Sequence, residues 1–159
     1  MLIKRRFPPR KALVKQMRDE FVEKFGNVAG ELLEGIIEIV ELQDGREVVL
    51  VNQKPVAFRT SIGMFPTLHA IERVPLKRVT VDMGAVSHVA GGADIMAPGI
   101  VATDEGILVG DCVVIVDERH GKALAIGSAL VEGASMKGPK GRVVKNLHHV
   151  GDEIWQFSA

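Results

Sequence analysis

The chain has one cysteine, one tryptophan and no tyrosine in 159 residues, and aromatic residues make up only 4%. A lone Cys112 excludes an internal disulfide, and its apolar neighbours Val113 to Val116 predict a buried thiol in a reducing cytoplasm. So few aromatics exclude a sheet-borne platform for stacking rings. Long apolar runs are missing too. The longest, Cys112 to Val116, falls far short of the ~20 residues a membrane span needs. No apolar stretch follows Lys4-Arg5-Arg6, so neither a secretory leader nor a membrane partner is expected. Formal net charge is zero, which argues against a generic polyanion binder.

Catalytic signatures are equally scarce. Gly133 to Lys140 lacks the Gly-Lys-Ser/Thr ending of a phosphate-binding loop, and no dinucleotide glycine fingerprint appears. No Gly-x-Ser-x-Gly elbow is present. His69, His88, His120, His148 and His149 are scattered, and no Cys/His pair has zinc-ligand spacing. His148 and His149 are neighbours in a strand-like run, so they point to opposite faces and do not chelate together. The spacing of Asp82, Asp94, Asp104 and Asp111 does not support a carboxylate pair for acid–base work, and Asp94 and Asp111 sit where turns favour Asp. The expectation is a protein that is not an enzyme, with no cofactor and no metal.

What is present is a foldable chain, 47% hydrophobic and 25% charged. Its charge is uneven. Residues 1–77 hold 13 Lys and Arg against 10 Asp and Glu, net +3, and residues 78–159 hold 7 against 10, net −3. Within the acidic half, residues 133–151 carry Lys137, Lys140, Arg142 and Lys145 with no carboxylate among them. That strip is either a solvated loop or a local anion-binding surface.

Leu13, Met17, Phe21 and Phe25 recur every fourth residue and predict an amphipathic helix ending at Gly26-Asn27. A shorter helical piece is expected over Val28 to Leu33. Strand-like runs follow at Ile37 to Leu42, Val48 to Asn52 and Val56 to Arg59. Asp44-Gly45 marks the first hairpin turn. The second half reads as short strands at Val79–Val81, Ile95–Ala97, Cys112–Val116, Ala123–Val131, Arg142–Leu147 and Ile154–Phe157. Trp155 is expected as a core plug. The basic residues Lys4, Arg5 and Arg6 read either as an extension of a binding surface or as a loose tail.

The segment Val79 to Ile100 is the most informative. Gly84 opens a short helix, Gly91-Gly92 breaks it, and Pro98-Gly99 ends the next extended piece. Glycines there would let bare amides approach a ligand. Val81-Asp82-x-Gly84-Ala85 followed by Gly92-Ala93-Asp94-Ile95-Met96-Ala97-Pro98-Gly99-Ile100 resembles the opening of a PUA domain. Gly110-Asp111-x-Val113-Val114-Ile115, Ala125-Ile126-Gly127 and Gly151-Asp152-Glu153-Ile154-Trp155 fit its later pieces. Lys54-Pro55-x-Ala57-Phe58-Arg59 and Phe65-Pro66-Thr67-Leu68-His69 look like the module that precedes PUA in a narrower family. That family contains the malignant-T-cell-amplified-sequence protein and the N-terminal part of ligatin, and has archaeal members of this size.

The resemblance implies an α+β N-terminal module over 1–75 and a mainly β PUA pseudobarrel over 76–159. It implies a cytoplasmic, non-catalytic protein of the translation apparatus that binds structured RNA, rRNA or tRNA. The implied contact residues are Lys77 and Arg78 at the boundary, Ser87 and His88 on the short helix, Gly91, Gly92 and Ala93 at the glycine turn, Met96 and Pro98 as an apolar shelf, and Lys137, Lys140, Arg142 and Lys145. Amides at the helix start near Ala85 are a further expected phosphate contact. Two alternatives stand beside this reading. One is an adapter whose N-terminal module docks a translation-factor protein. The other is a targeting subunit of an RNA-modifying enzyme.

Overall fold

The structure, a computed structural model, describes residues 3–157. Residues up to Pro75, joined by those from Glu153 on, form one compact unit, and Leu76–Asp152 form a second.

The first unit holds strands β1 (Ile3–Phe7), β2 (Ile37–Leu42), β3 (Glu47–Val51), β4 (Lys54–Thr60) and β5 (Gly63–Pro66), paired in chain order as an antiparallel meander. Helix α1 (Lys11–Phe25) and the one-turn α2 (Asn27–Glu31) lie between β1 and β2 in sequence. The four-residue spacing of α1 does what it predicts. Met17 and Phe21 are buried, and Phe25 meets Phe21 edge-on with ring centroids 5.0 Å apart. Each such burial is worth ~1.5–3 kcal/mol. Glu20 fastens the helix to β5 by accepting the Met64 N–H at 3.0 Å.

The basic N-terminus is not a loose tail. Ile3–Phe7 is an edge strand on β2, and Arg5 and Arg6 are ion-paired to Glu41 and Glu38. Lys4 lies 3.7 Å from Glu41. The pairing partners are more than thirty residues away in sequence, which is why local patterning does not reveal them.

The second unit holds β6 (Lys77–Val81), α3 (Met83–Ala90), β7 (Ile95–Met96), a 3-10 turn (Ala97–Gly99), β8 (Ile100–Thr103), β9 (Cys112–Asp117), β10 (Ala123–Ala129) and β11 (Arg142–His149). The sheet order is β7-β11-β10-β9-β6-β8, parallel only between β6 and β9. Its core gathers Val79, Val81, Val89, Ile95, Ile115 and Val144. Gly127 allows β10 to press on β11. A Cβ there would lie 2.5 Å from a Val144 methyl and 2.8 Å from the Lys145 carbonyl oxygen.

Three expectations are corrected here. Ile154–Phe157 is not a strand: Glu153–Gln156 forms a short helix, α4, which packs with the first unit rather than closing the second. The Ile-Trp-x-Phe pattern suits a pleated surface, but β-propensity counts only where a neighbouring strand is available. Trp155 is half-buried and its ring lies on His69, so it is not a core plug; Ile154 is the fully buried residue of that helix. Cys112 is half-buried, because it opens β9 directly beside the exposed turn at Gly110. No helix among the described residues is long and apolar enough to cross a membrane.

Candidate functional site

A cleft of about 620 Å³ lies between α3, β7 and the start of β11. The chain is led into it by Asp82, which caps α3: its side chain accepts the Ala85 N–H at 2.9 Å. Its own N–H donates to the Gly99 oxygen at 2.9 Å, tying the two ends of the cleft segment together. The Ala85 amide expected to receive phosphate is therefore already occupied by a carboxylate.

The glycine turn is a helix cap, not a cradle of bare amides. Gly91 N–H donates to the Ser87 and His88 oxygens, Gly92 N–H to Val89, and Ala93 N–H to His88. The carbonyls that end a helix need partners, and this turn supplies them. Gly92 is required for its left-handed φ of +96° and because a Cβ would stand 3.0 Å from the His149 Nε2.

Asp94 and Asn146 hold the cleft in shape. Asp94 accepts the Asn146 backbone N–H at 2.9 Å and an Arg142 guanidinium N–H at 3.0 Å. The Asn146 side-chain amide donates to the Val89 and Ala93 oxygens, each at 3.0 Å. Strand β11 is thereby stitched to the end of α3. The Asn146 Oδ1 is buried with no hydrogen-bond partner among the described residues. His148, next in the strand but one, is fully buried against Asp152, and His149 turns toward Gly92. The two histidines thus face apart, as their alternation predicts.

Of the residues predicted to contact a ligand, His88, Ala93, Met96, Pro98 and Arg142 line the cleft together. Met96 is 49% exposed although it belongs to β7, while its neighbour Ile95 is buried in the core. Ser87, Gly91 and Gly92 are adjacent on the chain but are not cleft walls. Lys137, Lys140 and Lys145 are exposed and have no ion-pair partner among the described residues. Lys77 and Arg78 are not brought to the cleft. They stand at the opposite end of β6, where Lys77 donates to the Gly106 oxygen at 2.9 Å and Arg78 pairs with Asp104. The structural roles of Asp82, Asp94 and Asn146 in the cleft are not visible in the sequence. Asp94 reads as an ordinary turn residue, and a polar residue within a strand gives no local sign that its amide crosses to another element. Among the described residues, no group of three His, Cys, Asp or Glu gathers that could hold a metal ion.

Residues 77–151 match the model of the PUA domain, and the surrounding mixed α/β architecture is a PUA-like fold. An uncharacterised protein of Methanocaldococcus jannaschii is 42% identical, covering 99% of both chains. Translation machinery-associated protein 20 of Saccharomyces cerevisiae is 31% identical over 85% of this chain and 81% of its own. A solved structure from Pyrococcus horikoshii superposes with a TM-score of 0.80 at 38% identity, covering 98% of this chain and all of that one. The chain belongs to the PUA-domain family of translation machinery-associated protein 20 and the malignant T-cell-amplified sequence proteins.

Proposed function

We propose that this protein binds structured RNA, rRNA or tRNA, in the cytoplasm as a non-catalytic component of the translation apparatus, and that the cleft beside α3 is where it does so. The observation that carries this reading is the meeting of exposed His88, Met96 and Pro98 with Arg142 in one cleft inside the PUA-matching region. The names of the relatives support the link to translation.

The mode of recognition differs from an amide cradle. Met96 and Pro98 offer an apolar shelf for an unstacked base. Arg142, oriented by Asp94, supplies a forked donor for a phosphate or a base edge. Lys137, Lys140 and Lys145 add backbone attraction, which makes binding salt-dependent. Titration of a structured RNA at rising salt tests this reading. Changing Lys140, Arg142 and Lys145 together to Ala should lower affinity severalfold while the circular dichroism melt stays unchanged. Unaltered affinity in the folded triple variant counts against the cleft.

A protein partner on the first unit is a second reading, favoured by exposed Val28, Ile36 and Ile62, of which Ile36 is 74% exposed. A protein partner survives ribonuclease treatment of a pull-down, whereas an RNA bridge does not.

A further inference from the structure

A second cleft, of about 600 Å³, opens in the first unit. That lies within the ~300–1,000 Å³ range of small-ligand sites. Lys54, His69 and Arg73 line it, and no lining residue among the described residues is acidic. Elsewhere in this unit Arg5, Arg6, Arg46 and Arg59 are each held by a carboxylate. Lys54 and Arg73 are exposed and have no such partner among the described residues. Two cations with no carboxylate partner among the described residues, at the wall of one concavity, are the chemistry of an anion site.

The same cleft carries aromatic rings. The His69 ring is braced on Trp155, with centroids 4.1 Å apart and planes 31° from parallel, and Phe157 is a further lining residue. Gln53 adds a third observation. It follows Asn52 in the two-residue turn between β3 and β4, and both residues have positive φ, +51° and +69°. A turn of that kind prefers glycine at its second position. Gln53 is held there against its backbone preference, and it lines the cleft, where its amide offers both a donor and an acceptor.

We propose that this cleft is a second ligand site, separate from the RNA cleft, that takes a nucleotide bearing a 5′-phosphate: the phosphate on Lys54 and Arg73, the base against His69, its edge read by Gln53. A free mononucleotide and the 5′-phosphorylated end of an RNA present this same chemistry.

Trp155 is the only tryptophan in the chain, so its fluorescence reports on the His69 stack. The full chain is titrated with adenosine monophosphate, cytidine monophosphate, a 5′-phosphorylated hexaribonucleotide and its 5′-hydroxyl counterpart. The expected result is a saturable change with at least one phosphorylated probe, weakened about tenfold by Lys54→Ala or Arg73→Ala. Arg142→Ala, in the other cleft, leaves that response unchanged, which separates failure of this site from failure of the RNA cleft. Gln53→Gly lowers affinity while the melting temperature holds or rises. A response to mononucleotides assigns a free nucleotide, and a response to the phosphorylated oligomer alone assigns an RNA end. Flat titrations with every phosphorylated probe at millimolar concentration, or a response that persists in the folded Lys54→Ala/Arg73→Ala double variant, overturn the proposal.

Discussion

Arg142 donates to the Asp94 carboxylate at 3.0 Å across the mouth of the PUA cleft, and the other oxygen of that carboxylate holds the Asn146 backbone N–H at 2.9 Å. One acidic side chain thus aims the cationic one and anchors the strand that carries it. The Arg142 side chain remains 61% exposed, so the pair is screened by solvent and free to exchange its carboxylate for another anion.

This arrangement separates stability from binding. Arg142→Ala is expected to change unfolding free energy by less than about 1 kcal/mol, as for other exposed ion pairs. RNA affinity should fall in the same variant. Urea denaturation and a binding titration on one preparation check both halves.

Asn146→Ala should behave the opposite way. It removes two hydrogen bonds, to the Val89 and Ala93 oxygens. Leaving those acceptors without partners costs about 1–3 kcal/mol. Amide exchange at Gly91, Gly92 and Ala93 should quicken more than exchange in β9, because the turn opens before the sheet does.

Gly127→Ala is expected to destabilise the second unit by about 1–3 kcal/mol, since the added methyl collides with Val144 and the Lys145 carbonyl. The fall in melting temperature measures it. Gly121→Ala, in an exposed turn with open space around it, bears only the cost of its φ of +64° and provides the contrast.

Asp117 is one acid-sensitive group. The Asp117 carboxylate is held below its ordinary value of 3.8 by the backbone N–H groups of His120, Lys122 and Arg119, with burial opposing. Its folded value is thus lower than its unfolded one. The stability it contributes is complete above the unfolded value and is lost as pH falls through the folded value. Glu41 and Glu38 act in the same direction, lowered by hydrogen bonds from Arg5 and Arg6, but salt screens those exposed pairs. Asp117→Asn should therefore flatten the acid limb of a plot of urea midpoint against pH more than Glu38→Gln does. Equal slopes in the two variants would show that the Asp117 carboxylate adds no more acid sensitivity than an exposed pair.

Much of the fold was legible because its cues are local. The helix from Leu13 to Phe25 follows from a four-residue recurrence, the first hairpin from Asp44-Gly45, and the short strands of the second half from runs such as Cys112 to Val116 between turn residues. The misses are non-local. The strand Ile3–Phe7 depends on Glu38 and Glu41, and Trp155 depends on His69, so in each case the deciding partner lies far along the chain.

The candidate site divides along the same line. His88, Met96, Pro98 and Arg142 were implied by the resemblance of their surroundings to a PUA domain, and they do line one cleft. The role of Gly91 and Gly92 was not. A glycine pair announces permissive backbone, but whether its amides are free or bonded depends on what they meet after folding.

The amino-acid sequence by itself determined where the long helix, the first hairpin and several strands of the second half form, and which polar residues were available for a ligand, because periodicity and turn chemistry act over a few residues. Only the tertiary structure decided that the glycine amides close a helix, that Lys77 and Arg78 stand apart from Arg142, and that Lys54 and Arg73 share a second cleft. Those outcomes depend on distances between residues remote in sequence, and hydrogen bonds and charges respond to distance in space.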